Sequence, residues 1–175
     1  MSGRRTGLVV PMPDLEALVG PHRREWDPVA VLGARAHVTV LFPFAPVVTL
    51  DDGILERVRH ALAGFTPFAV RFAGVASFPD DVLYLVPEPA ARFRELTAAL
   101  AAEFPEYPPY HGQFDEVIPH LTVAHHPDAP MAEITAALAA ALPMTTEAQR
   151  VEVWQEGTDD IWTSRATFRL SAART

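Results

Sequence analysis

Two short stretches carry residue types able to do chemistry: Ala36-His37-Val38-Thr39-Val40-Leu41-Phe42 and Pro119-His120-Leu121-Thr122-Val123-Ala124. Each is an apolar run broken by a histidine and, two residues on, a threonine. Successive side chains of a β-strand point to opposite faces. His37 and Thr39 therefore share one face and Val38 and Val40 the other; His120 and Thr122 stand likewise against Leu121 and Val123. Two such strands side by side make a pocket with two imidazoles and two hydroxyls. Imidazole titrates near neutral pH. Cleavage of a phosphodiester needs a base on the attacking oxygen and an acid on the leaving oxygen. Two histidines facing each other across a groove supply both without a metal. The hydroxyls can hold the non-bridging oxygens in line and stabilise charge as it builds. A single His-x-Thr reads most simply as a half-buried strand, because Thr is a favoured strand residue. It is the second copy in the same context that points to function.

The elements that must position these residues follow from periodicity and punctuation. The pattern predicts a first strand over Thr6–Pro11, a short helix over Asp14–Val19 ended by Gly20, and an irregular basic segment over Pro21–Arg35. The first His-x-Thr strand spans Ala36–Phe42. A helix over Asp51–Gly64 and a hairpin of Pro67–Phe78 with Val82–Val86 follow. The second half predicts a helix over Pro89–Phe104, a long loop over Pro105–Val117, the second His-x-Thr strand over Ile118–His125 and a helix over Met131–Leu142. Strands over Thr146–Gln155 and Ile161–Ser171 close the chain. The order helix, His-x-Thr strand, helix, strand, turn, strand occurs twice. The turns match locally, Asp80-Asp81-Val82 against Asp159-Asp160-Ile161. The expected fold is α+β: a single domain over residues 1–175 built of two pseudo-symmetric lobes of antiparallel sheet plus helices around a central groove. The lobes are read roughly as residues 1–88 and 89–175, with room for strand exchange.

Composition sets bounds on partners. Hydrophobic residues make up 49% of the 175, enough for a sizeable core. No apolar run approaches a membrane span, and Leu8-Val9-Val10 is too short for the core of a signal peptide. A cytoplasmic protein with no membrane partner is expected. There is no cysteine and no lysine; all 14 basic residues are arginine. This excludes disulfides, thiolate nucleophiles, Schiff bases, a phosphate-loop lysine and a lysyl-nucleotide intermediate. A net charge of −8 suits neither long nucleic acid nor an extended phosphate backbone. A small phosphorylated ligand or a short RNA end remains compatible with it.

The paired motifs His37-Val38-Thr39-Val40 and His120-Leu121-Thr122-Val123 resemble those of the two-histidine (2H) phosphoesterase superfamily, the group of 2′-5′ RNA ligases and cyclic phosphodiesterases. Their flanks, including Leu41-Phe42-Pro43-Phe44, Pro119 and Val82-Leu83-Tyr84-Leu85-Val86-Pro87-Glu88-Pro89, are similar too, and the resemblance covers nearly the whole chain. It implies a bilobal fold with internal duplication. It implies metal-independent chemistry without a cofactor on a 2′,3′-cyclic phosphate, by hydrolysis or by reversible 2′-5′ RNA ligation. His37 and His120 would be the catalytic residues, and Thr39 and Thr122 would bind phosphate. It further implies His120 as base and His37 as acid. The substrate would be a small nucleotide or short RNA end, and the simplest assembly is a monomer. A non-catalytic nucleotide-binding module with the same clamp is the alternative.

Other candidates are less patterned. Arg23, Arg24 and Arg35 read as a solvated basic loop or a second phosphate site. Tyr107, Tyr110, His111 and Phe114 read as loop packing or a lid. Phe44 and Trp154 read as core or groove wall. His125 and His126 invite a metal site with His120, but no carboxylate sits at a familiar ligand spacing. His22, His60 and His111 have no patterned partner and read as surface residues.

Overall fold

The computed structural model describes residues 4–172. Alternation drives the strands: Val38, Val40, Leu121 and Val123 are buried to within 1%, while the histidines and threonines between them are only half-buried. In chain order the elements are β1 (Thr6–Pro11), α1 (Glu16–Trp26), β2 (His37–Leu41), α2 (Asp52–Ala61), β3 (Phe68–Phe78) and β4 (Val82–Glu88). There follow α3 (Ala90–Glu103), β5 (Leu121–His125), α4 (Met131–Ala141), β6 (Met144–Ala148), β7 (Arg150–Glu156) and β8 (Trp162–Arg169). Among the described residues these strands form two four-stranded antiparallel sheets, in the orders β2-β1-β7-β8 and β5-β4-β3-β6. The two His-x-Thr strands are the edge strands that lie against each other between the sheets.

The boundary read near residue 88 is not a boundary in space. Each sheet draws strands from both halves of the chain. The helices are exchanged as well: α1, which follows β1, packs against β5, and α3, which follows β4, packs against β2. Taken in order, the two sheets make β4 the counterpart of β1 and β3 the counterpart of β7. The hairpins matched by the sequence pattern therefore hold different places in their sheets. Their turns nevertheless agree, since Asp81 and Asp160 both adopt left-handed φ values of 58° and 63°, a conformation that Asp tolerates better than most residues.

Helix α1 runs through the Gly20-Pro21 pair at which the sequence pattern ends it. The buried face of Leu15, Val19 and Arg23 outweighs two poor helix formers. Gly20 is also crowded: a Cβ there would meet Glu16 Oε1 at 2.9 Å and Arg24 at 3.0 Å. Glu16 is held in turn by the Ala36 N–H, at 2.7 Å, which ties the helix to the start of β2. The single strand expected over Thr146–Gln155 is two. β6 pairs with β3 and β7 with β1, with Gln149 at the crossing from one sheet to the other. Asp51 caps α2 through Ile54 N–H, at 2.9 Å, as its type and position predict. No helix among the described residues is long and apolar enough to cross a membrane.

Candidate active site

The two histidines are held in the same way. His37 opens β2, and its Nδ1 lies 2.6 Å from the Arg35 carbonyl oxygen. His120 stands one residue before β5, and its Nδ1 lies 2.7 Å from the Ile118 carbonyl oxygen. A carbonyl only accepts, so Nδ1 must carry the hydrogen in both rings. Each Nε2 is left to take or give a proton. A neutral ring thus presents a lone pair and a charged ring an N–H, from a fixed orientation.

Aromatic residues set the ring positions. Trp154 on β7 meets His37 edge-on, with centroids 4.9 Å apart. Its indole N–H donates to Glu152 at 2.7 Å, and Arg150 donates to the same carboxylate at 2.7 Å. Burial pushes the Glu152 carboxyl up, but these hydrogen bonds outweigh it and hold the group below the usual carboxylate range. On the other side, Phe78 and Tyr84 stack at 4.3 Å and meet His120 edge-on at 5.0 Å and 5.5 Å. Thr39 pairs with Val9 of β1, and Thr122 with Tyr84 of β4, so the hydroxyls occupy equivalent register positions.

Below the clamp lies a buried ion pair. Arg23 is 1% exposed and Asp27 3%. Arg23 Nε and Nη2 donate to one Asp27 oxygen at 3.2 Å and 2.9 Å, and the other oxygen accepts the Val29 N–H at 3.3 Å. Arg23 Nη1 is buried with no partner among the described residues. The solvated loop read for Arg23 is therefore replaced by a helical residue in the core; Arg24 and Arg35 are exposed. The burial of His37, the charge of Arg23 and that of His120 together push the His37 imidazole down to about 3. Burial lowers His120 as well.

Both folded values lie below the ordinary 6.5. The unfolded chain therefore binds more protons than the native protein below that pH, and stability falls as pH drops through 6.5 toward about 3. Chemical denaturation over a pH series is expected to show this loss, with a shallower slope in His37→Ala. An unchanged slope in that variant would remove the assignment.

The structure brings together His37 and Thr39 on β2 with Thr122 on the adjoining edge strand β5 and His120 just before it. It does not bring His125 and His126 to them: His126 accepts the Asp128 N–H at 3.1 Å and packs on Trp26 at 5.6 Å. Among the described residues no cluster of three His, Asp or Glu side chains is placed to hold a metal ion. Phe44 is core, Trp154 is groove wall, and Tyr107 packs on Phe44 at 5.5 Å. Tyr110 N–H donates to the Phe42 carbonyl at 2.6 Å, anchoring the loop after α3. His60 and His111 are exposed, and His22 is half-buried. Sequence reasoning missed Asp27 and Glu152 at this site, and the burial of Arg23. Their signals were the i,i+4 spacing of Arg23 with Asp27, hidden by Gly20-Pro21, and the i,i+2 spacing of Glu152 with Trp154 on a strand.

A two-lobed α+β fold with an imidazole and a hydroxyl on one edge strand of each sheet is the frame of the two-histidine phosphoesterases. Residues 11–160 match the 2′-5′ RNA ligase superfamily, and the chain belongs to it. Solved structures agree in fold. TT0787 of Thermus thermophilus is 20% identical with a TM-score of 0.68, over 97% of this chain and 100% of that one. E. coli LigT, solved with 3′-AMP, is 10% identical with a TM-score of 0.66, over 96% and 98%. A protein described as a phosphoesterase is 12% identical with a TM-score of 0.63, over 97% and 99%. No curated protein sequence matches the chain. Family membership supports an enzyme with phosphoesterase- or ligase-like activity.

Proposed function

We propose that the protein opens 2′,3′-cyclic phosphates of nucleotides or RNA ends, or forms 2′-5′ bonds by the reverse step, through general acid–base catalysis by His37 and His120. The observation that carries this is the matched anchoring of both rings, each with Nδ1 fixed on the carbonyl two residues upstream and Nε2 available. In hydrolysis, one Nε2 takes a proton from water as its oxygen attacks phosphorus. The other gives a proton to the ribose oxygen as the P–O bond breaks, leaving a 2′-phosphate. Thr39 and Thr122 donate hydrogen bonds to the non-bridging oxygens. E. coli LigT, which shares the fold, has been solved with 3′-AMP and with phosphate, ligands of the matching chemistry.

The environments argue for an assignment of roles opposite to the one the resemblance implies. Burial lowers both rings, but on His37 the nearby Arg23 charge adds to it, so His37 is the ring assigned the neutral state. His37 then serves as base, and His120 carries the proton as acid. The test is turnover of 2′,3′-cyclic nucleotides and cyclic-ended RNA in excess chelator, with His37→Ala/His120→Ala as the blank. Turnover by the native protein alone is expected. Activity lost to chelation would overturn the metal-free reaction, and nucleotide binding without turnover would make the protein a binding module.

A further inference from the structure

The two sides of the clamp differ at one register position. Val9 faces Thr39 across β1 and β2, and Tyr84 faces Thr122 across β4 and β5. Tyr84 stacks on Phe78, and both rings lie against His120. Val9 is too small to do the same. What is left beside His37 is a cleft of about 220 Å³, walled by Val9, Val29, Phe42, Trp154 and Trp162, with Arg5 at its rim. His37 and Thr39 line the same cleft, so it opens directly onto the clamp.

Resting on the clamp reading above, we infer that this cleft seats the nucleobase of the substrate, on the His37 side and not on the His120 side. The cleft is below the roughly 300–1,000 Å³ typical of pockets for drug-sized ligands, so it admits one ring system and not a run of residues. Its walls are aromatic and aliphatic, the surface on which bases of any sequence stack. Trp162 is held in place as a platform. Its backbone N–H donates to the Leu32 carbonyl at 2.7 Å. Gly33, at φ +91°, allows that approach, since a Cβ there would come within 2.9 Å of the Trp162 carbonyl oxygen. The Arg5 guanidinium lies over the Trp162 ring at 5.6 Å and is fixed by Glu156. A phosphate in the clamp places its own nucleoside against this wall, while beside His120 the corresponding position is taken by the Phe78 and Tyr84 rings.

Calorimetry with adenosine 2′-monophosphate and glycerol 2-phosphate separates base from phosphate and needs no turnover. The native protein is expected to bind the nucleotide roughly 5- to 150-fold more tightly, the range of one base–aromatic stack. Trp162→Ala removes the platform, and Val9→Tyr places in the cleft the ring that Tyr84 places beside His120. Either is expected to bring the preference close to unity, with glycerol 2-phosphate binding in each variant reporting an intact clamp. Equal binding of the two ligands by the native protein overturns the inference, as does a preference that survives both substitutions. Failure to bind either ligand overturns the clamp itself. A base preference in a protein without turnover sinks only the proposed reaction.

Discussion

Replacing either His37 or His120 by alanine is expected to lower turnover of a 2′,3′-cyclic phosphate by about 10²–10⁴-fold, and replacing both should cost little more. The non-additivity follows from the chemistry: an attacking water without a base and a leaving oxygen without an acid fail in the same transition state. Both rings are anchored through Nδ1, so glutamine, which also carries an N–H, cannot restore a proton transfer at Nε2. The pH profile adds a second readout. kcat/KM reports the free protein, in which burial lowers His120. As the acid, His120 must hold a proton, so kcat/KM is expected to decline as pH rises through its lowered value. A bound phosphate raises both imidazoles, so the corresponding limb of kcat lies at higher pH. A kcat/KM flat between about pH 5 and 8, or full activity in either alanine variant, would count against the pair.

Arg23→Met is expected to destabilise the protein by about 3–5 kcal/mol, the usual cost of leaving one charge of a buried pair unpartnered. Asp27 would keep only the Val29 N–H in an environment where it is 3% exposed. Adding Asp27→Asn removes the stranded charge and is expected to recover most of the loss. Urea denaturation of the native protein, the single and the double variant measures both terms. A single variant within about 0.5 kcal/mol of native would show that the pair contributes nothing. In the double variant the Arg23 charge no longer acts on His37, so His37 is expected to titrate higher, which NMR of the imidazole follows directly.

The catalytic candidates were legible because strands have a period of two. His37 with Thr39, and His120 with Thr122, fall on one face whatever the sheet does, and Val38, Val40, Leu121 and Val123 mark the other face as core. Helices α2, α3 and α4 were legible from their stripes and ends, to within a few residues. What did not show was anything decided between distant segments. No Gly or Pro falls between Met144 and Glu156 to mark Gln149 as a crossing, and the only local sign is the apolar phase slipping from Ala148 to Val151. Gly20-Pro21 looks like a stop, and only the packing of Val19 and Arg23 against another lobe carries the helix past it. The matching of hairpins failed for the same reason: a repeat in sequence order says nothing about which sheet a strand joins.

The interleaving of the sheets also sets an order of assembly during synthesis. The sheet that carries His120 is contiguous, with all its strands between Phe68 and Ala148. It can zip up from neighbouring segments as the chain emerges. The sheet that carries His37 cannot, because β1 waits for a partner whose pairing joins Thr6 to Gln155. Closing so long a loop carries a large entropic cost before any contact offsets it. The strand beside His120 therefore has its neighbours Tyr84 and Phe78 early, while the β1 edge that pairs with β7 stays open until the last strands arrive. The sheet that carries His37 is thus the last to be completed, and a chain stalled before residue 150 lacks the β7 and β8 strands that finish it.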